Sequence, residues 1–191
     1  MPRIEPVPLD ELRPEARRIV DEGVAAGLYS TPIPLQLFAY HSAQLTGIDL
    51  QRKSSGRASL LGPRLLELLR IRSGQLGGCE PCMRSRKHDS ITDDDVACLL
   101  SADRITMDPQ EAMAIEFIDM LSYDHFAMDD AFYKRVGEHF SPAQIIELGL
   151  VCGMSMGVHR FIHTLDPLGD GEPVIRFAPD QIDAVKPGAP A

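Results

Sequence analysis

Three observations predict an all-α fold. Apolar residues recur at helical spacing along most of the chain. Two segments, Asp108-Pro109-Gln110-Glu111 and Ser141-Pro142-Ala143-Gln144, place a capping residue before a proline, with Glu or Gln three positions after the cap. No stretch alternates apolar and polar residues as a half-buried strand would, and no internal repeat competes with the helical pattern.

Residues 1–8, with Pro2, Pro6 and Pro8, form a lead-in. From Asp10 the positions Leu12, Ala16, Ile19, Val20 and Val24 mark a first helix, with Gly27 as its stop signal. Leu35 to Tyr40, after Pro32 and Pro34, reads as a second helix, and the polar run Gln51–Arg57 as a loop. A third helix runs from Pro63 to about Gln75 through Leu65, Leu66, Leu68, Leu69 and Ile71. A short helix over Asp93–Leu100 has Thr92 as its cap.

The second half continues the pattern. Asp108 launches a helix with the apolar stripe Met113, Phe117, Met120 and Leu121, and Asp129 starts another through Phe132, Tyr133 and Val136. Ser141 opens the most apolar helix, to about Thr164, where Asp166-Pro167 ends it. Between Ile145 and Val158 only Glu147 is charged, a run shorter than the ~20 residues a bilayer requires. Gly149, Gly153 and Gly157 line one face, so this helix reads as a central core or subunit-interface element. Residues 167–191 hold five prolines and read as an extended tail, leaving one helical domain over 1–166.

Composition narrows the function classes. A chain of 191 residues fits one domain and can bury a core unaided. A net charge of −9 argues against nucleic-acid and anionic-membrane surfaces. No basic, apolar, small-residue opening suggests a secretory signal. Four cysteines (Cys79, Cys82, Cys98, Cys152) do not make a disulfide framework, so a reducing cytoplasm and one reactive pair are expected.

That pair lies in Gly77-Gly78-Cys79-Glu80-Pro81-Cys82. The glycines break one helix, and Pro81 suits the first turn of the next. A helix N-terminus favours a thiolate, and Arg84, Arg86 and Lys87 add cationic charge a turn later. The stretch is a candidate redox centre.

Glu67, twelve residues before Cys79-x-x-Cys82, resembles the signature of the carboxymuconolactone decarboxylase superfamily, and more narrowly its alkylhydroperoxidase D-like branch. Arg64-Leu65-Leu66-Glu67-Leu68 before Gly78-Cys79-Glu80-Pro81-Cys82 is similar to that family's run into its active site. Ser141 to Leu148, ending Ile145-Ile146-Glu147-Leu148, is similar to a downstream segment of many members. The resemblance covers roughly residues 30–165. It implies a single-domain antiparallel helical bundle, assembled as trimers, or as dimers and hexamers.

It also implies a division of labour. Cys82 would attack a peroxide, Cys79 would resolve it as a disulfide, and Glu67 would act as general base or relay. A dithiol reductant, lipoylated or thioredoxin-like, would restore the pair; no cofactor or metal is implied. The family histidine falls four residues after the second cysteine, where this chain has Arg86. Arginine stays protonated and donates only, so it can lower a thiolate pKa but cannot shuttle a proton. His88 lies about 200° round a helix from Arg86 and does not substitute for it.

Simpler roles stand beside these. Glu67 could pair with Arg64 or Arg70, and the two cysteines could be inert structural thiols. A zinc site would need two more ligands at suitable spacing. Cys98, before Leu99 and Leu100, reads as a small buried residue. His159 and His163 share a face with Cys152 and Met156, but Arg160 stands where a His-Glu-x-x-His motif has glutamate, so hydrogen-bonded histidines at a helix end are expected. His125 and His139 are placed in loops or at solvent, and Asp93-Asp94-Asp95 at a helix start. The expected function is a thiol-dependent peroxidase or disulfide oxidoreductase. The alternatives are an enzyme of ring or lactone chemistry on the same scaffold, and a non-catalytic helical oligomer with a vestigial site.

Overall fold

The computed structural model describes residues 2–26, 29, 31–79, 82–83, 86–100 and 107–167. Among them are eight α-helices, two 3-10 turns and no strand, so the chain is all-α. They group into two compact units, one comprising residues up to Ser59 with the stretch from Phe161, the other Leu60–Arg160. Gly27, Pro81, Arg84 and residues 168–191, assigned above to a helix stop, a first turn, a cationic flank and a tail, lie outside the described residues.

In the first unit, α1 spans Pro14–Ala25, later than the expected start at Asp10. Leu9–Glu11 forms a 3-10 turn instead. The cause is Pro14: the residue before a proline is pushed out of the helical region, and Arg13 is extended (φ −60°, ψ 149°). Helix α2 covers Ile33–Phe38 and α3 covers Ser42–Arg57. Gln51–Arg57, expected as a loop, is therefore helical. Its Lys53 reaches back one turn to the buried Asp49 at 2.7 Å and across to Glu22 of α1 at 3.3 Å. Leu12, Ala16, Ile19, Val20, Tyr29, Leu35 and Leu45 form the core of this unit.

The second unit is built on α4 (Pro63–Gly77) against α6 (Pro109–Tyr123), with α5 (Asp93–Leu100), α7 (Asp130–Gly137) and most of α8 (Pro142–Leu165) around them. Leu65, Leu68, Leu69 and Ile71 share one core with Met113, Ile115, Phe117, Ile118, Phe132, Val136, Leu148, Cys152 and Met156. The caps follow the sequence closely. Thr92 accepts from the Asp95 N–H while Asp95 accepts from the Thr92 N–H, and Ser141 and Gln144 repeat the exchange. Asp108 and Asp129 cap α6 and α7. Glu111 does not close a capping box: Arg64 of α4 takes it at 2.7 Å.

Helix α8, expected as a central core or subunit-interface element, is buried on one side and exposed on the other. Its Leu148, Cys152, Met156, His159 and Ile162 side is buried, whereas Ile146, Leu150, Gly153, Gly157 and Arg160 are exposed. The continuous helix has 24 residues, which by length and composition alone is enough to cross a membrane, and 28% of its most apolar window is buried.

Candidate redox site

Helix α4 ends at the motif. Gly78 adopts the left-handed conformation (φ 67°), which a glycine enters without Cβ strain. The Cys79 N–H then donates to the Gly74 carbonyl at 2.9 Å and the Gly78 N–H to the Gln75 carbonyl at 3.4 Å, the paired bonds of a Schellman terminus. The chain turns back along α4, and the Met83 N–H closes a helical turn on the Cys79 carbonyl at 3.0 Å.

Cys79 and Cys82 are joined as a disulfide, with Cα atoms 5.2 Å apart. Cys79 is 4% exposed, and Cys82 is partly exposed. The returning turn lies so close to α4 that a Cβ on Gly74 would sit 3.0 Å from the Cys82 Cβ. At about 100° per residue, Glu67, Arg70 and Gly74 share one face of α4, and this face meets the turn.

Glu67 is buried and tied to that turn. Its Oε2 accepts from Arg70 Nε, and its Oε1 accepts from Arg70 Nη2 and from the Lys87 N–H, each at 2.7 Å. Arg70 also donates through Nη1 to the Cys82 carbonyl at 2.6 Å. Among the described residues, three of the four carboxylate acceptor directions are filled in this way. Of the sequence-selected residues, Cys79, Cys82 and Glu67 thus come together on one framework. Arg86 is exposed and donates to the Met83 carbonyl at 2.7 Å and to Asp93 at 3.3 Å. His88 is engaged locally: its Nδ1 accepts from the Ser90 N–H at 3.3 Å and lies 2.7 Å from the Ser90 hydroxyl.

Beyond the turn, Arg64 holds the following segment by bonding Asp95, Glu111 and the Ser90 carbonyl. The Arg64 guanidinium pulls the Asp95 carboxyl down to about 2, helped by Thr92 and against partial burial. On the side of α4 adjoining the cysteine face, His159 of α8 is buried with its Nδ1 2.9 Å from the Ser73 hydroxyl. A Cβ on Gly77 would sit 3.0 Å from the His159 Cβ, so both glycines permit close approach, one to the turn and one to α8. Burial, followed by the Asp119 charge, pushes the Cys152 thiol far above its ordinary range. Cys98, expected to be buried, is partly exposed. No group of three or more His, Cys, Asp or Glu suited to a metal occurs among the described residues.

Arg70, one of the two partners the sequence offers for Glu67, is the one that holds it, whereas Gly74 and the Ser73 partner of His159 do not follow from the motif. Two signals were available. Glu67 and Arg70 stand at i,i+3, where opposite charges meet on a helix, and Gly74 follows Glu67 by two turns. No family model, curated protein or solved structure matches the chain.

Proposed function

We propose that this chain is a thiol–disulfide oxidoreductase and thiol-dependent peroxidase of the alkylhydroperoxidase D-like type, built on the single-domain antiparallel bundle of that family. The observation that supports it is the Cys79–Cys82 disulfide on a glycine-terminated helix, with Glu67 and Arg70 bonded around it.

Chemistry at the pair follows its burial. A thiolate from a dithiol reductant reaches the partly exposed Cys82 sulfur before the buried Cys79 sulfur. Attack forms a mixed disulfide at Cys82, breaks the internal S–S bond and leaves the electron pair on Cys79, which takes a proton. The second reductant thiol then displaces Cys82, and the reductant departs as a disulfide. In the peroxidatic half, the Cys82 thiolate attacks the peroxide oxygen, giving a sulfenic acid and, after protonation, an alcohol. Cys79 condenses with that sulfenic acid, releasing water and restoring the disulfide.

The deciding experiment is hydroperoxide consumption with a lipoyl or thioredoxin-like dithiol donor, comparing wild type with Cys82→Ser. Loss of turnover in the variant, with a sulfenic acid trapped at Cys82 in Cys79→Ser, supports the reading. Equal turnover in wild type and Cys82→Ser would remove it, and fully inert thiols would favour a vestigial site. Arg86→His is expected to raise peroxide turnover by supplying a proton carrier.

A further inference from the structure

A cysteine that leaves and re-enters a disulfide must gain and lose a proton, yet Cys79 is buried. Cys82, partly exposed, can exchange with water, whereas the buried sulfur needs a partner inside the protein. The Schellman terminus sets where Cys79 lies. Its N–H bonds the Gly74 carbonyl, and the residue at this position folds back over the last turn of the helix, here Ser73 and Gly74. Ser73 is fully buried, and its hydroxyl is 2.9 Å from Nδ1 of His159, the one buried histidine among the described residues. Gly77, two residues before Cys79, lets α8 approach at this level: a Cβ on it would meet the His159 Cβ at 3.0 Å and the Arg160 nitrogen at 3.3 Å.

We propose that His159 and Ser73 are the proton-positioning pair of Cys79: His159 holds the proton and the Ser73 hydroxyl hands it on. The proposal rests on the thiol–disulfide chemistry of the preceding subsection. When a reductant thiolate attacks Cys82, the S–S bond breaks and its electron pair passes to Cys79. The Ser73 hydroxyl gives that sulfur its proton and takes one from protonated His159, leaving a neutral imidazole. In the resolving half the path reverses. Cys79 returns its proton through Ser73 to His159, its thiolate attacks the Cys82 sulfenic acid, and the expelled hydroxide takes a proton from solvent to leave as water. Imidazole suits this role because it gains and loses a proton near neutral pH. The other charged groups here are engaged elsewhere. Glu67 and Arg70 bond one another on the Cys82 side of α4, and Arg72 pairs with Asp119 of α6 on the far side. Along α8, Cys152 is buried two turns before His159, Arg160 donates to the Ser122 hydroxyl, and His163 lies one turn on.

Reduction of the oxidised full chain by dithiothreitol tests it, with rates followed from about pH 5 to 8, where imidazole titrates, and divided by the concentration of reductant thiolate. In wild type the normalised rate is expected to fall as pH rises, because protonated His159 speeds the departure of Cys79. His159→Gln keeps a side chain that can bond Ser73 but cannot titrate, and Ser73→Ala removes the hydroxyl. Each should be about tenfold or more slower than wild type at the acid end, and each should lose the pH slope. A bond that is only structural would lower the urea midpoint of both variants and leave the slope intact, which would overturn the proposal. So would a wild-type normalised rate that does not change with pH, a result that requires no variant to fold. Either outcome leaves thiol–disulfide exchange at Cys82 standing, whereas a disulfide inert to dithiothreitol at every pH would overturn both readings together.

Discussion

Arg70 donates to the main-chain carbonyl of Cys82 at 2.6 Å, while the same guanidinium holds Glu67 through two bonds of 2.7 Å. One side chain therefore couples a buried carboxylate on α4 to the backbone of a redox-motif cysteine. Glu67 fastens the far side by accepting from the Lys87 N–H, so the turn is gripped at both ends. This grip is a structural role for Glu67 whether or not it also relays protons.

Arg70→Met should leave the Glu67 carboxylate buried without its fork partner and lower stability by about 3 kcal/mol, at the low end for breaking a buried pair because Arg70 is 13% exposed. Arg70→Lys keeps the charge but not the planar fork, and should recover less than half of the loss. Urea unfolding of the three proteins measures this; a lysine variant as stable as wild type would show that charge alone suffices.

Gly74→Ala places a methyl group 3.0 Å from the Cys82 Cβ and 3.4 Å from the main chain of Cys82 and Met83. The gain in helix propensity is about 1 kcal/mol, whereas overpacking costs about 1–3 kcal/mol, so the oxidised protein should lose stability. The deficit should shrink on reduction, when the ring no longer holds Cys82 at that spot. Denaturation of oxidised and reduced samples in parallel would reveal an equal deficit if the turn does not move.

Arg72 and Asp119 form a bond of 2.7 Å with side chains only 2% and 4% exposed. Asp119→Ala should cost about 3–5 kcal/mol, because a charged guanidinium remains buried without its counter-ion. Replacing both, as Arg72→Met with Asp119→Leu, should return most of that stability. Thermal unfolding separates the cases, and a double variant no better than the single one would contradict the argument.

The Arg64–Asp95 pair sets an acid response. Asp95 sits at about 2 in the fold against an ordinary value of 3.8, its main cause being the Arg64 hydrogen bond. Its contribution to stability is thus complete above about pH 4 and disappears as pH falls toward 2. Asp95→Asn should flatten the stability profile in that window and leave the remaining pH dependence unchanged. Denaturant midpoints from pH 5 to 2 report it; parallel profiles would rule out Asp95 as a contributor.

Local chemistry made the helices legible. Asp108, Asp129, Thr92 and Ser141 cap helices in the structure because a side-chain oxygen reaches N–H groups two or three residues away, and that geometry depends on little beyond the neighbouring sequence. Gly78 ending α4 is equally local. Gln51–Arg57 reads as a loop by itself, whereas its helix is supported by Asp49 and by Glu22, the latter on a different helix. Its own polarity carries no trace of that support.

The amino-acid sequence alone determined the all-α class, most helix starts, the Cys79–Cys82 pair and the nearness of Glu67 to Arg70, since each depends on neighbours within about two turns. Only the tertiary structure decided which arginine holds Glu67, that Glu111 serves Arg64 and not its own helix end, and that Cys79 is the buried partner. It alone also left Ile146, Leu150, Gly153 and Gly157 of α8 exposed while burying the opposite side of the helix. These outcomes turn on which surfaces of distant segments meet, and burial, unlike capping, is a property of the meeting and not of either segment.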